Sequence, residues 1–267
     1  MRIQLLVQTV NNRAGGRQIP NRRDPPNLIR YHRAVLRAIL FDFNGVLVDD
    51  EPIHFELLQR VLREEGLDLS REDYDRDYLG KTDHACFELA LRKANQEPRE
   101  DLLSRLVARK GAYYMMRMRL EGYPIFDGAR DLVEAASEAG LMLGVVSGAL
   151  RAEVEGALAQ LGLEDHFKAL VTAEDVSRGK PDPEGFRRGL ALLNATPPLP
   201  QRLLHPHEVL AIEDSPHGLE AARQTGLATL GVAHSHAPET LDLADRVVES
   251  LVDLDLSRLR VLFAETV

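Results

Sequence analysis

The stretch FDFNGVLVDDEP, residues 41–52, decides the fold because it joins an apolar run to an acidic loop. The run VLRAILFDF (35–43) has the length and apolar content of a buried strand. Asp42 stands at its end, and Asn44 follows two residues later. A carboxylate at the end of a buried strand is a candidate for chemistry. The amide at position 44 raises the question of why no second carboxylate stands there.

Short apolar runs alternate with amphipathic helical patterns along the rest of the chain. They predict further strands at 141–147, 168–173, 208–213, 227–232 and 246–249. Helices are predicted in most of the gaps, the last of them over APETLDLA (237–244). Such alternation is typical of an α/β fold. The sequence therefore predicts a doubly wound, mostly parallel sheet.

A long insertion without any strand pattern separates the first two predicted strands. Its segments favour four helices, EPIHFELLQRVLREEG (51–66), SREDYDRDYL (70–79), TDHACFELALRKA (82–94) and REDLLSRLVARKGAYYMMRMRLEG (99–122). We expect an α/β core made of residues 34–50 and 125–267, and an all-helical cap made of residues 51–124.

Charge is distributed unevenly along the 267 residues. Residues 1–33 hold seven arginines and one aspartate, a charge of +6. Because the net charge of the whole chain is −9, the remaining residues carry a charge of −15. The basic segment has no clear period, and we expect a disordered leader or a misplaced start site. An organelle transit peptide is the alternative, but the segment contains no serine.

Composition also excludes several classes of function. An acidic body argues against nucleic acid as a partner. The sequence has no run of 18 apolar residues and no secretory signal, so we expect no membrane contact and a cytoplasmic location. The single cysteine, Cys86, rules out an internal disulfide and is expected to be a buried thiol. The HPH (205–207) and HSH (234–236) triplets are expected to be solvated rather than zinc-binding.

Polar residues follow four of the predicted strands. In an open parallel sheet, ligands bind beyond the carboxyl ends of the strands. Taken singly, each cluster has an ordinary structural explanation as a helix cap or a turn. The clusters are Asp42 with Asn44, Ser147 with Gly148, Gly179-Lys180-Pro181, and Glu213-Asp214-Ser215.

The segments DFNGVLVD, VVSGA, GKPDPEGF and IEDSPHGLEAA stand in this order along the chain. With them the chain resembles the haloacid dehalogenase superfamily, in particular the beta-phosphoglucomutase and sugar-phosphate phosphatase members that have a helical cap after the first strand. The resemblance covers about residues 35–250. It implies the same α/β core and a phosphohydrolase activity.

The resemblance implies roles for the strand-end residues. Asp42 is expected to be the nucleophile that forms an aspartyl-phosphate, which water then hydrolyses. Lys180 is expected to neutralise the nucleophile and a phosphoryl oxygen. Ser147 and Gly148 are expected to donate hydrogen bonds to the phosphate.

The resemblance also implies a Mg²⁺ cofactor. Its expected ligands are Asp42, Asp214 and the main-chain carbonyl of Asn44, with Glu213 outside them. The alternative for Glu213 and Asp214 is an acidic cap of the following helix. Two acids facing Asp42 would repel it, however, unless a cation lay among them.

Asn44 departs from the family pattern, which has a second aspartate there as general acid and base. Asparagine has no titratable proton, and a positioned acid or base supplies ~10²–10⁴ in rate, which is roughly 3–5 kcal/mol. The substrate then has a good leaving group, or another side chain serves, with His54, Asp49, Asp50 and Glu51 as candidates. The third interpretation is a protein that binds a phosphorylated ligand with little turnover.

The GKTD turn (80–83) stands where the family has its substrate-specificity loop. An arginine that grips the distal phosphate in the mutase falls at Asp83, which repels phosphate. Lys81 and Lys110 are predicted to contact the substrate, and Arg109 is a further candidate. The alternative for all three is a solvated charge.

The sequence therefore predicts a Mg²⁺-dependent phosphohydrolase, monomer or homodimer, that acts on a small phosphorylated metabolite. The alternative is a weakly catalytic binding or regulatory protein on the same scaffold. A sugar phosphomutase is disfavoured because Asn44 and Asp83 both depart from its pattern.

Overall fold

The computed structural model describes residues 35–252 and 254–266. The strands of the described part are β1 (Ala38–Phe41), β2 (Met142–Val146), β3 (Phe167–Val171), β4 (Val209–Glu213), β5 (Ala228–Val232) and β6 (Arg246–Val248). Its α-helices are α1 (Glu51–Glu64), α2 (Arg71–Asp77), α3 (Asp83–Lys93), α4 (Glu100–Glu121), α5 (Ala129–Glu138), α6 (Arg151–Leu161), α7 (Glu184–Ala195), α8 (Pro216–Gln224) and α9 (Leu256–Ala264). The predicted basic leader, 1–33, lies outside the described residues.

The strands form one parallel sheet in the order β3-β2-β1-β4-β5-β6. In the centre, Ala38 of β1 lies opposite Met142 of β2 on one side and Val209 of β4 on the other. The chain builds the sheet outward from β1 in one direction and then from β4 in the other. This topology confirms the predicted doubly wound α/β fold.

The sheet is covered on both faces, and β1 shows why. Its four residues, AILF, are fully buried, as expected of a central parallel strand. Ile39 and Phe41 belong to an apolar layer with α5, α6 and α9. Ala38 and Leu40 belong to a second layer with α7 and α8. Successive side chains of the strand therefore anchor the two helical layers.

The insertion between β1 and β2 forms α1 to α4 and has its own apolar cluster, which includes Leu58, Phe87 and Leu106. Ser70 caps α2 by accepting the Asp73 N–H at 3.0 Å. We call residues 51–124 the cap. The division of the chain into core and cap domains stays a prediction.

Two local findings bear on the sequence predictions. The helix predicted over 237–244 is wrong: the structure has a 3₁₀ turn at Pro238–Thr240. Thr240 closes this turn on the Ala237 carbonyl through both its backbone N–H and its hydroxyl. Cys86 is buried, as predicted, and burial raises the pKa of its thiol to about 12.

Among the described residues, no helix is both long enough and apolar enough to cross a membrane.

Candidate active site

The carboxyl ends of β1, β2 and β4 meet at one edge of the sheet. Asp42 follows β1, Ser147 follows β2 and Asp214 follows β4. Backbone hydrogen bonds continue past the strand ends, because the Asp42 N–H donates to the Ile212 carbonyl and the Ser147 N–H to the Val171 carbonyl, both at 2.9 Å. The sheet register therefore fixes where these side chains start.

Three buried carboxylates form an acidic cluster, Asp42, Glu213 and Asp214. One ligand atom from each lies within 4.8 Å of the others, and the exposed fractions are 7%, 0% and 6%. The Nζ of Lys180 lies 2.7 Å from Asp42 Oδ1 and 2.5 Å from Glu213 Oε1. The Phe43 N–H donates to the same Asp42 oxygen at 2.7 Å. One ammonium thus pairs with two of the three carboxyl groups, and the three carboxyl groups are a donor set that could bind a metal ion.

The electrostatics of the acidic cluster follow from this crowding. Burial, followed by the charges of Asp42 and Asp214, raises the pKa of Glu213 well above its ordinary value. Burial and the neighbouring Asp42 raise the pKa of Asp214 to about 7. Burial opposes the charge on Lys180, but Asp42 and Glu213 outweigh it and hold the Lys180 pKa above its ordinary value. Glu213 and Asp214 are therefore harder to ionise than in water, and a bound cation would favour their ionised forms.

Gly45 makes room for the acidic cluster. Its φ is +77°, in the left-handed region, and a Cβ there would lie 1.9 Å from Asp214 Oδ2. The loop after β1 can therefore approach Asp214 only with glycine at this position.

Asn44 turns its side chain toward Asp50. The Nδ2 atom of Asn44 lies 2.9 Å from each carboxylate oxygen of Asp50. Asp50 is fully buried and also accepts from the Tyr114 hydroxyl at 2.5 Å and from His54 Nε2 at 3.2 Å. Burial opposes ionisation, but the electrostatic attraction of His54 and the hydrogen bonds from His54, Asn44 and Tyr114 outweigh it and hold the pKa of Asp50 below its ordinary value.

His54 links Asp50 to two further side chains of the cap. Its Nδ1 lies 2.6 Å from the Nζ of Lys110, and that Nζ lies 2.5 Å from Asp83 Oδ1. An ammonium only donates, so Nδ1 accepts and Nε2 carries the proton toward Asp50. Burial and Lys110 lower the pKa of His54, whereas Asp50 and Asp83 raise it, and the balance lies above the ordinary value. We call Asn44, Asp50, His54, Tyr114, Lys110 and Asp83 the cap network.

A cavity of about 910 Å³ separates the acidic cluster from the cap. Ser147 and Gly148 reach it from the core. Ser147 accepts the Ala149 N–H at 3.0 Å, and its hydroxyl lies 3.5 Å from Asn44 Oδ1. The predicted site residues that line the cavity are Asp42, Asn44, His54, Lys81, Lys110, Ser147, Gly148, Lys180 and Asp214.

Several candidates lie elsewhere. Arg109 bonds to Glu64 at the end of α1 and to Glu65 just after it, and it is not among the residues that line the cavity. Asp49 is exposed and also absent from the lining. His234 contacts the Gly45 carbonyl at 2.9 Å through Nδ1.

Sequence reasoning missed Tyr114, the hydroxyl that holds Asp50. One signal could have found it, because Lys110 and Tyr114 are four residues apart on α4 and so share a helix face. Asp50 and His54 have the same spacing at the start of α1. The two pairs face each other, and the ring centroids of His54 and Tyr114 lie 5.0 Å apart.

The sequence profile of the haloacid dehalogenase-like hydrolases matches residues 39–232, which is well over half of the chain. The chain therefore belongs to this family.

Two curated proteins and one solved structure illustrate the likeness. Validoxylamine A 7'-phosphate phosphatase of Streptomyces hygroscopicus subsp. limoneus is 28% identical over 218 residues, covering 82% of this chain and 95% of that protein. Hexitol phosphatase B of Escherichia coli K12 is 29% identical over 229 residues, covering 83% and 95%. A beta-phosphoglucomutase from Clostridium difficile superposes with a TM-score of 0.75 at 22% identity, covering 86% and 98%, which shows the fold alone.

These findings confirm the predicted family and the predicted enzyme class, a haloacid dehalogenase-type hydrolase of the phosphatase kind. The roles of individual residues stay predictions.

Proposed function

We propose that this protein is a Mg²⁺-dependent phosphohydrolase in which Asp42 takes the phosphoryl group of a small phosphorylated metabolite. The observation that carries the proposal is the acidic cluster beside Lys180, which faces the cavity under the cap. Both curated relatives described above are named as phosphatases of small organic phosphates. We extend this substrate class, a phosphate monoester, to the present chain.

The acidic cluster fits a Mg²⁺ ion. When all three carboxyl groups are ionised, one lysine leaves two negative charges without a partner, and buried like charges are costly. Carboxylate and carbonyl oxygens are the ligands that Mg²⁺ prefers. Asp42, Asp214 and the Asn44 carbonyl would hold the ion, with Glu213 outside them. Bound there, the ion would supply positive charge that offsets repulsion between Asp42 and the phosphate.

The chain's own residues then carry the reaction. A carboxylate oxygen of Asp42 bonds to phosphorus, and the bond between phosphorus and the leaving oxygen breaks with its electron pair on that oxygen. Lys180, 2.7 Å from Asp42, lowers the repulsion between nucleophile and phosphate. Ser147 and Gly148 donate to the phosphoryl oxygens. Water then attacks phosphorus in the aspartyl-phosphate and releases phosphate and Asp42.

Protonation of the leaving oxygen is the step of this mechanism for which position 44 supplies no acid. Asn44 has no titratable proton, and its Nδ2 is engaged with Asp50. Of the predicted substitutes, His54 and Glu51 line the cavity and are the candidate donors. The Nε2 proton of His54 is directed at Asp50 in this structure, so it would have to turn away from Asp50 to reach a leaving oxygen. Asp49 is exposed outside the cavity. We therefore expect the best substrates to have leaving groups that need little protonation.

The cap network supports a substrate with one phosphate. The buried ammonium of Lys110 is engaged by Asp83 and His54 and is not free to bind a second phosphate. Lys81 is exposed at the rim, where solvent weakens its attraction. We expect monophosphates to be preferred over bisphosphates.

Turnover of an aryl phosphate, an acyl phosphate and a hexitol phosphate, with Mg²⁺ and with a chelator, tests the proposal. The aryl and acyl phosphates should be hydrolysed with Mg²⁺ only. Asp42→Asn should lose this activity, whereas Asp131→Asn, an exposed aspartate on α5, should keep it. Full activity of Asp42→Asn would contradict the assignment of the nucleophile.

A second candidate function is a binding or regulatory protein with little turnover. The engaged amide of Asn44 favours it, because position 44 then supplies no proton to a leaving group. Wild type that is inert on all three phosphates, yet gains thermal stability from Mg²⁺ with phosphate, would select this function.

A further inference from the structure

Asp50 is an unusual residue for its position. It stands at the N-cap of α1, where an aspartate ordinarily accepts a backbone N–H of the first turn, but its side chain makes no such bond. Its carboxylate is fully buried and accepts from three side chains instead, Asn44, His54 and Tyr114. The first belongs to the loop after β1, and the other two belong to the cap.

The contact between Asn44 and Asp50 sets the orientation of the amide. A carboxylate only accepts hydrogen bonds, so the Nδ2 of Asn44 must face Asp50. The other end of the amide, Oδ1, then faces the opposite way, and it lies 3.5 Å from the Ser147 hydroxyl. Asn44 lines the cavity, whereas Asp50 does not. An acceptor oxygen is therefore what the side chain presents to the phosphate site.

We infer that Asp50 is a positioning residue of the active site, which holds the Asn44 amide so that an acceptor, and no N–H donor, faces the cavity. The inference rests on the proposed function, since it concerns the same site. Asn44 can then accept a hydrogen bond from a water or a substrate hydroxyl, but it cannot donate one to a leaving oxygen.

The same contact explains why a carboxylate at position 44 cannot simply be added. In Asn44→Asp the new carboxylate would face the buried Asp50 carboxylate across the 2.9 Å now spanned by N–H···O hydrogen bonds. Two carboxylates offer only acceptors to each other, so this contact would lose the donor that now joins the two residues. An acid at position 44 therefore requires an amide at position 50, and the reciprocal exchange Asn44→Asp with Asp50→Asn keeps one donor, one acceptor and the total charge.

A double-mutant cycle in thermal stability tests the inference without substrate. Asn44→Asp alone should melt about 2–4 °C below wild type, because the contact between positions 44 and 50 loses its donor. Asp50→Asn alone should also lower the melting temperature, because the three donors lose their charged acceptor. The double variant should recover at least half of the loss seen in Asn44→Asp. A matched cycle with the exposed Asp49 in place of Asp50 should show no recovery.

Activity provides the second readout. The ratio of alkyl to aryl phosphate turnover should stay near the wild-type ratio in Asn44→Asp. In the double variant this ratio should rise by about 10-fold or more, because the new carboxyl group at position 44 is then held by a neutral donor and can protonate a poor leaving group. Intact-mass measurement of wild type checks that Asn44, which precedes Gly45, has not deamidated.

Additive melting temperatures in the cycle would overturn the inference, and so would an Asn44→Asp variant that gains as much alkyl phosphate turnover as the double variant. Failure of the proposed function gives a different result. In that case no variant hydrolyses any phosphate, while the stability cycle still reports whether positions 44 and 50 are coupled.

Discussion

On the core side of the cavity, three buried carboxylates share one lysine, whereas on the cap side the charged groups are paired with one another. Among the described residues, Lys180 is the cationic partner that forms ion pairs with the acidic cluster of Asp42, Glu213 and Asp214. Across the cavity, Asp50 meets three donors, and Lys110 bridges His54 and Asp83.

The difference in pairing indicates a difference in task. An excess of buried acid needs an outside cation, and an anionic substrate can follow that cation into the site. The two carboxylates of the cap network are instead already engaged by side-chain donors, so this network holds its shape. The core side is therefore suited to bind metal and phosphate, and the cap network is suited to exclude ligands with additional charge. The lysines on the two sides should then behave differently when they are removed.

The largest effect is expected for Lys180→Met. The substitution removes the ammonium group beside Asp42, so the repulsion between the Asp42 carboxylate and the phosphate becomes stronger. Turnover of an aryl phosphate should therefore fall by roughly 10²–10³-fold. Lys168→Met is the matched control, because Lys168 bonds to the Pro198 carbonyl and does not line the cavity. Lys110→Met should lower turnover much less. Equal losses at Lys180 and Lys110 would contradict the comparison of the two sides.

Addition of Mg²⁺ to metal-free protein should raise the free energy of unfolding by an amount that depends on pH. In the folded protein the pKa of Asp214 is raised to about 7 from an ordinary 3.8. The native state therefore binds more protons than the unfolded state between these values, and the free energy of unfolding falls as pH rises through them. Mg²⁺ needs the ionised carboxylate, so it stabilises more above pH 7 than below it.

Thermal denaturation of chelator-treated protein measures this gain. At 100-fold excess over its dissociation constant, Mg²⁺ should add about 2.7 kcal/mol at pH 8 and clearly less at pH 6. Asp214→Asn should remove most of the gain. An equal gain in that variant would show that the ion binds elsewhere.

Asp83→Asn should change specificity on the cap side. Without the Asp83 carboxylate, the Lys110 ammonium can turn to an anionic group in the cavity. We expect the ratio of bisphosphate to monophosphate kcat/KM to rise by about 10-fold, which is about 1.4 kcal/mol. Asp77→Asn is the control, because Asp77 pairs with Lys93 on the cap and does not line the cavity. An unchanged ratio in Asp83→Asn would show that Asp83 does not control the charge of the cap side.

The smallest effect is expected for Tyr114→Phe. It removes the buried hydroxyl that donates to Asp50 at 2.5 Å and should lower the free energy of unfolding by about 1–2 kcal/mol. Tyr113→Phe, whose hydroxyl bonds to Glu64 near the surface, should cost less than about 0.5 kcal/mol. Chemical denaturation of both variants gives the comparison, and equal costs would argue against a special role for Asp50.

Much of the core side could be predicted from sequence. Asp42, Ser147, Lys180 and Asp214 stand at or after the ends of apolar runs, and a parallel sheet brings such ends to one edge. The strands themselves are slightly shorter than predicted. Within the run 35–43, for example, only Ala38–Phe41 forms a strand, and Asp42 directly after it belongs to the acidic cluster.

The cap side could be predicted only in part. Lys110 was expected to face the site and Asp83 to repel phosphate, and both side chains do line the cavity. That they bond to each other, at 2.5 Å, does not follow from positions 27 residues apart in the chain. Tyr114 and Asp50 are separated by 64 residues, and no local pattern indicates their hydrogen bond.

The sequence by itself determined the order of the strands, the acidic residues at the strand ends and the replacement of a carboxylate by an amide at position 44. These properties depend on local periodicity and on residue identity. Only the tertiary structure decided which way the Asn44 amide points and which charges are neutralised, because α1 and α4 must first pack together before Asp50 meets Tyr114 and His54 meets Lys110. The direction of a hydrogen bond depends on the partner that folding brings to it, and that partner comes from a distant part of the chain.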